Sequence, residues 1–211
     1  MIFQSLSGTV NGCHAGACLR ETSLIAPLSV LSMSGSLRRT SLNGALLDMA
    51  VECAPGDTIV IRYGRIGDLP LFNPDLELQR QESVLDLRDR IAKADAILIA
   101  SPEYAHGISG VMKNALDWMV STGVFVEKPV ALWNASPRSS IALGALRETL
   151  RVMAARLVEE AALSLLISPF DEGSLPRNPD PMAMRRALAS LVDAARSVHT
   201  VGSLAGLLQV P

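Results

Sequence analysis

Two hydrophobic patterns alternate along the chain. Unbroken apolar runs predict five buried strands, at residues 24–31, 58–62, 96–100, 130–134 and 161–167. Elsewhere apolar residues recur every three or four positions, which predicts helices at residues 42–53, 84–91, 109–120, 143–157 and 182–198. Strands that are apolar throughout and alternate with amphipathic helices are typical of a parallel sheet covered on both faces.

This order of elements predicts an α/β fold with a doubly wound, five-stranded parallel sheet of strand order 2-1-3-4-5. In such sheets ligands bind beyond the carboxyl ends of the strands, where the strand order reverses. The candidate functional loops are therefore those after predicted strands one, three and four, which begin at Ser34, Ser101 and Ser136.

We expect one domain over residues 24–200, with an extension before it and a tail of residues 201–211 after it. Residues 1–23 show neither hydrophobic pattern, and we expect them to lie outside the core and to be poorly ordered. Cys13, His14 and Cys18 match no standard zinc spacing and lack a fourth ligand, so no metal site is predicted there.

Charge and composition exclude two classes of partner. The 211 residues carry 19 basic and 21 acidic side chains, a net charge of −2, without the basic block that would bind nucleic acid. No apolar run approaches the roughly 18–20 residues that cross a bilayer. The three cysteines are an odd number and too few for a disulfide framework. We therefore expect a cytoplasmic protein with neither a nucleic-acid nor a membrane partner.

The loop after predicted strand one combines hydroxyl groups with positive charge. Ser34, Ser36, Thr40 and Ser41 supply hydroxyls, and Arg38 lies among them just before a helix. Unpaired N–H groups at a helix N-terminus beside an arginine can bind an anion such as phosphate. The alternative is that the hydroxyls only cap the helix while the arginine is solvated. The chain contains neither the dinucleotide fingerprint G-x-G-x-x-G nor a Walker P-loop.

The loop after predicted strand three suits a different ligand group. Pro102 stiffens it, Glu103 and Tyr104 add polar and aromatic side chains, and Gly107 and Gly110 allow close approach to the backbone. Backbone amides and carbonyls beside an aromatic side chain suit a planar heteroaromatic ring. The alternative is a capped strand-to-helix turn with Tyr104 half-buried.

Four motifs, in order along the chain, together resemble a known family. They are G-S-L-R-R-T-S-L-N at residues 35–43, L-P-L-F-N at 69–73, S-P-E-Y at 101–104 and K-N-A-L-D-W at 113–118. Over about residues 25–200 the chain resembles the NADPH-dependent FMN reductase family, which includes azo, quinone and chromate reductases. The resemblance implies a flavodoxin-like fold and the cofactors FMN and NADPH.

The resemblance also implies individual binding residues. Those implied for the FMN phosphate are Ser36, Arg38, Ser41 and Asn43. Those implied for the isoalloxazine are Pro102, Glu103, Tyr104 and Gly107, with Ser136 as a further flavin contact. Family members often have Asn after the tyrosine, whereas this chain has Ala105 and His106. Any flavin contact from Ala105 must then come from its backbone. His106 is either a residue that tunes the flavin or binds substrate, or a solvated capping histidine.

The resemblance predicts an NAD(P)H-dependent FMN reductase without catalytic side chains, because the flavin itself carries the hydride chemistry. Hydride would pass from NAD(P)H through FMN to an acceptor by a ping-pong mechanism. Free flavin, a quinone, an azo compound and a metal oxyanion stay open as that small-molecule acceptor. The three histidines are scattered and no G-x-S-x-G elbow occurs, which argues against a hydrolase.

The predicted helix at residues 109–120 is apolar on more than one side. Its stripe from Met112 to Met119 should meet the sheet, yet Val111 and Trp118 lie on another side. We predict a homodimer or higher homo-oligomer through this helix, with Phe72 and residues 69–74 near the partner's flavin. The alternative is that the chain's own residues 201–210 cover the helix.

Two other functions stay open. A flavodoxin-like electron carrier would bind FMN without a nicotinamide site, but such carriers usually present a strongly acidic face, which a net charge of −2 does not supply. A flavin-free regulatory domain is favoured by Ala105 and disfavoured by the intact Ser36, Arg38 and Ser41.

Overall fold

The computed structural model describes residues 27–136, 139–165 and 180–207. For His199 and residues 201–207 it describes the backbone only. The predicted N-terminal extension with Cys13, His14 and Cys18 lies outside this part. The strands are β1 Leu28–Ser34, β2 Thr58–Tyr63, β3 Ala96–Ala100, β4 Glu103–Tyr104, β5 Gly107–Ile108, β6 Pro129–Asn134, β7 Arg156–Leu157 and β8 Leu163–Ser164. The helices are α1 Leu42–Glu52, α2 Glu82–Lys93, α3 Gly110–Met119, α4 Ser140–Val152 and α5 Pro181–Leu207.

The main sheet is parallel and has the order β2-β1-β3-β6, with β7 and β8 both paired to the outer side of β6. The short β4 and β5 form a separate antiparallel hairpin. Counting β7 and β8 as one position, this confirms the predicted order 2-1-3-4-5 and the doubly wound α/β fold.

Helices cover both faces of the sheet. Helices α1 and α5 pack on one face, and α2, α3 and α4 pack on the other. All five residues of β3, at the centre of the sheet, are buried. Because β1, β3 and β6 are parallel neighbours, their carboxyl ends lie along one edge of the sheet, where the candidate loops begin.

The first strand is shifted relative to the prediction. The predicted strand covers residues 24–31, whereas β1 continues to Ser34. Buried Ser32 is satisfied because its hydroxyl donates to the Ile61 carbonyl at 3.4 Å. Residues 24–26 of the predicted strand lie outside the described part.

The region after β6 differs most from the prediction. The predicted helix at residues 143–157 ends at Val152, because Ala154 takes a left-handed φ of 57°. Leu157, expected on that helix, pairs with Val130 in β7. The predicted fifth strand, residues 161–167, begins later as β8, because Ala161 ends a 3₁₀ turn, Glu159–Ala161, and its carbonyl accepts from the Trp133 indole at 2.9 Å. Residues 166–167 of that prediction lie outside the described part.

The second apolar side of α3 is covered by the chain itself. The Trp118 indole donates to the Pro70 carbonyl at 2.8 Å, and the Phe72 ring packs edge-on against it at 5.1 Å. Asn114 donates to the same carbonyl and accepts from the Phe72 N–H at 2.8 Å. Trp118 is therefore buried within one chain, so the predicted dimer loses this residue as an argument. The side chains of residues 201–210, the alternative cover, are not described.

Across the described residues, no helix combines the length and the apolar character that crossing a bilayer requires.

Candidate functional site

The loops after β1 and β3 are in close contact at the carboxyl edge of the sheet. The Gly35 N–H donates to the Ala100 carbonyl at 2.8 Å, and the Ser101 and Ser109 hydroxyls lie 3.2 Å apart beside it. A Cβ placed on Gly35 would lie 2.7 Å from Ser101 Cβ and 2.8 Å from Ser109 Oγ. Gly35 is therefore required because a side chain would not fit. Its backbone conformation does not require glycine, since its φ is outside the left-handed region.

Hydroxyl groups shape the loop after β1. Ser34 Oγ accepts from the Ser36 N–H at 3.2 Å, and Ser36 Oγ accepts from the Arg38 N–H at 3.3 Å. Ser41 is the N-cap of α1, where its Oγ accepts from the Gly44 N–H at 3.2 Å. As an acceptor in this cap, Ser41 can still donate its own O–H to a bound anion.

A cleft of about 330 Å³ lies along this loop and the first turns of α1. Its polar lining residues are Ser34, Ser36, Arg38, Arg39, Thr40, Ser41, Asp48 and Arg62. Arg38 is exposed, and it forms no ion pair with any residue in the described ranges. The structure therefore brings together three of the four residues predicted for the phosphate, which are Ser36, Arg38 and Ser41.

Asn43, the fourth residue predicted for the phosphate, faces another way. It is buried, and its side-chain oxygen accepts from the Ala135 N–H at 3.4 Å. Asn43 thereby joins α1 to the segment after β6. Half-buried Ser136 follows directly, and its N–H donates to the Asn134 side chain at 3.0 Å.

Arg62 lines the cleft but was not predicted as a site residue. Its Nη1 donates to the Gly44 carbonyl and to Asp48 Oδ1, each at 2.6 Å, so it holds the start of α1 against β2 while its charge is paired with Asp48. A signal was present in the sequence, because Arg62 is the only charged residue in the predicted strand at residues 58–62.

The β4–β5 hairpin forms the loop predicted for the ring. Its two-residue turn, Ala105 and His106, has φ values of 49° and 60°. Positive φ at both positions is the type I′ pattern, which favours Asn and Gly. Backbone strain of this kind costs on the order of 1–3 kcal/mol per residue. Ala105 in place of the family's Asn therefore changes the conformational energy of the turn as well as removing a side-chain contact.

Glu103 is directed into the protein. Its Oε2 accepts from the Ala142 N–H in the first turn of α4 at 2.9 Å, and its Oε1 lies 3.0 Å from His106 Nδ1. The hydrogen bond from Ala142 is the main cause that lowers the pKa of Glu103, and His106 adds to it while desolvation opposes it. Glu103 is therefore ionised at neutral pH and joins the loops after β3 and β6.

The rest of the hairpin leaves an open surface. Tyr104 is 54% exposed, and Pro102 is half-buried. Among the described residues, a Cβ placed on Gly107 would have only the Tyr104 carbonyl oxygen, at 3.5 Å, within 4 Å. Protein packing does not require a glycine at this position, and its open space fits a flat group lying against the backbone.

Comparison with known proteins finds related reductases. An NADPH:quinone oxidoreductase of Arabidopsis thaliana is 41% identical over 122 residues, which are 54% of this chain and 61% of that protein. An NAD(P)H-dependent FMN reductase of Pseudomonas aeruginosa is 39% identical over 112 residues, which are 52% of this chain and 60% of that protein. The chain thus spans less than two thirds of the length of these relatives.

A solved structure with the same fold was also found. FerB of Paracoccus denitrificans, a flavoenzyme NAD(P)H:(acceptor) oxidoreductase, is similar with a TM-score of 0.70 and 29% identity, over 81% of this chain and 98% of that chain. The family model for NADPH-dependent FMN reductase matches residues 28–166, well over half of the chain. The resemblance predicted from the motifs is confirmed, and this chain belongs to the NADPH-dependent FMN reductase family.

Proposed function

We propose that the protein is an NAD(P)H-dependent reductase that holds FMN at the carboxyl edge of its sheet and transfers electrons to a quinone or another flavin-accessible acceptor. FMN and NADPH are the cofactors that its family uses. The observation that supports the proposal most strongly is the contact at Gly35, which places the hydroxyl-rich loop after β1 next to the open hairpin after β3.

The phosphate of FMN would bind in the cleft along the loop after β1. Arg38 would contribute charge-assisted hydrogen bonds, and the Ser36 and Ser41 hydroxyls would donate to the remaining oxygens. The N-terminus of α1 adds backbone N–H groups and a favourable dipole. Asn43 would act indirectly, since its contact with Ala135 holds α1 in place.

The flat ring would lie against the hairpin, where Gly107 leaves room and Tyr104 offers an exposed aromatic face. When bound, FMN supplies the hydride and electron chemistry. The hairpin's part is electrostatic and steric, because fixed backbone N–H groups stabilise negative charge on a ring beside them. His106 would sit at the rim of this surface, since it is exposed and bonded to Glu103.

One open edge supports a ping-pong order, because nicotinamide and acceptor would have to use the same surface in turn. We propose a quinone as the first acceptor to test, since the Arabidopsis relative is named for a quinone. Double-reciprocal plots at several quinone concentrations should give parallel lines. Intersecting lines would require both substrates to bind together and would contradict the single shared surface.

The proposed function is tested by mixing the purified protein with NADPH under argon. The protein should be yellow from bound FMN, and the absorbance of the flavin should bleach rapidly and recover when a quinone is added. Flavin that is bound but not bleached by NADPH or NADH would indicate an electron carrier. A colourless protein that takes up no FMN would indicate a flavin-free domain.

Arg38→Ala should weaken FMN binding about ten- to a hundredfold. A hydrogen bond to a charged group contributes about 1.5–3 kcal/mol, and about 1.4 kcal/mol corresponds to tenfold in affinity. Titration of the apo-protein with FMN, followed by quenching of flavin fluorescence, measures the effect. Arg88→Ala, at a half-buried arginine on α2 that does not line the cleft, is the control and should bind FMN normally. Unchanged affinity in the Arg38 variant would remove it from the site.

We also propose that a second copy of the chain covers part of α3 and residues 69–74. The side chain of Leu71 is 84% exposed directly beside the Phe72 and Trp118 pair, which leaves apolar surface for a partner. Light scattering at micromolar concentration should show a dimer or larger assembly. Leu71→Asp should shift it toward monomer, whereas Val152→Asp, at an exposed apolar residue at the end of α4, should not. A wild-type monomer would refute this proposal.

A further inference from the structure

One side chain connects the β4–β5 hairpin to α4. Both carboxylate oxygens of Glu103 have partners, Ala142 N–H at 2.9 Å and His106 Nδ1 at 3.0 Å. The Glu103 side chain is only 11% exposed, so its oxygens are turned toward protein groups. This placement differs from the direct contact with the isoalloxazine that the family resemblance implies.

Helix α4 has no cap of its own. Its N-cap residue, Ser139, makes no side-chain capping hydrogen bond, and no acidic residue lies in its first turn. The first N–H groups of a helix have no partner within the helix, and their partial positive charge favours a carboxylate. Glu103 supplies that acceptor from 39 residues away in the sequence.

The other partner of Glu103 belongs to the strained turn. Ala105 and His106 are both left-handed, and the contact between Glu103 and His106 closes over this turn. The same carboxylate therefore holds the turn in its conformation and sets its distance from α4. Helix α4 also packs against both strands of the hairpin.

We propose that Glu103 is a positioning residue, which locks the hairpin after β3 and the start of α4 after β6 into one rigid surface for the flavin ring. It acts through the backbone that it holds, including the turn at Ala105 and His106 and the segment at Ser136. The inference rests on the proposed function, because that function assigns the ring to this surface.

The test compares Glu103→Ala with Glu103→Gln. Alanine removes the connection, so FMN should bind about tenfold more weakly, and the visible absorption bands of the bound flavin should shift. Amide hydrogen exchange should become faster both at Ala142 and in the hairpin. Glutamine can still accept from Ala142 through its carbonyl oxygen and donate to His106 Nδ1 through its NH₂, so it should restore most of the FMN affinity and the wild-type spectrum.

Ala145→Gly is the matched control, because Ala145 is exposed on the same helix and the substitution weakens α4 without touching the hairpin. It should lower the melting temperature while FMN affinity and the flavin spectrum stay unchanged. If Glu103→Ala behaves in the same way, its role is only helix capping and the inference is overturned, while the reductase activity of the wild type stands. A wild type that binds no FMN would overturn the proposed function and this inference together.

Discussion

Replacing Gly35 with alanine should destabilise the protein by about 1–3 kcal/mol and greatly weaken FMN binding. The new methyl group would lie 2.7 Å from Ser101 Cβ and 2.8 Å from Ser109 Oγ, closer than Cβ atoms approach non-bonded atoms, so the surrounding groups would have to shift. Inserting a methyl group into such packed surroundings typically costs this amount. For a chain of this size it corresponds to a fall of roughly 2–12 °C in melting temperature.

The shift should also affect the site, because the hydrogen bond from Gly35 to Ala100 aligns the loop after β1 with the hairpin after β3. Differential scanning calorimetry and FMN titration measure the two effects. Gly144→Ala is the matched control, since a Cβ there meets nothing within 4 Å and α4 should gain about 0.5–1 kcal/mol. A Gly35→Ala protein with wild-type stability and affinity would show that the two loops are not held as described.

Replacing Gly107 with valine should remove most bound flavin while leaving the fold intact. A β-branched residue suits the strand β5, and within the described part of the chain the one atom near the new Cβ is the Tyr104 carbonyl oxygen at 3.5 Å. The free energy of unfolding of the apo-protein should therefore stay within about 1 kcal/mol of the wild-type value. The isopropyl group would occupy the space assigned to the ring, so FMN affinity should fall by roughly tenfold or more.

Separate measurements on the apo-protein and the FMN complex distinguish the two effects. Gly107→Ala adds a smaller group at the same place and should give an intermediate loss of affinity. FMN affinity should fall in the order glycine, alanine, valine, because each side chain adds more volume above the hairpin than the one before. A valine variant that stays fully yellow would exclude Gly107 from the ring-binding surface.

The sheet and the loop after β1 could be predicted because their signals are local. Strand β3 is a continuous apolar run and its neighbours are largely apolar, and alternation with amphipathic helices leaves few topologies. Ser41 was predicted at the start of a helix, and it does cap α1. The end of α4 was predicted wrongly, since the apolar spacing continues through Met153 to Leu157 and no glycine or proline marks the left-handed Ala154.

Contacts between distant segments could not be predicted. The bond from Glu103 to Ala142 spans 39 residues, and the bond from Trp118 to Pro70 spans 48. A helical pattern shows that a side of α3 is apolar but not which segment covers it. The hairpin was missed for a different reason, because Ala105 and His106 lack the Asn-Gly signature that normally marks a type I′ turn.

The carbonyl of Pro70 accepts two hydrogen bonds, one from Asn114 and one from Trp118. Either donor could be lost during evolution without releasing this stretch from α3, because the other would still hold it. Among relatives, a replacement of Asn114 or of Trp118 alone should therefore occur more often than a replacement of both donors in the same protein.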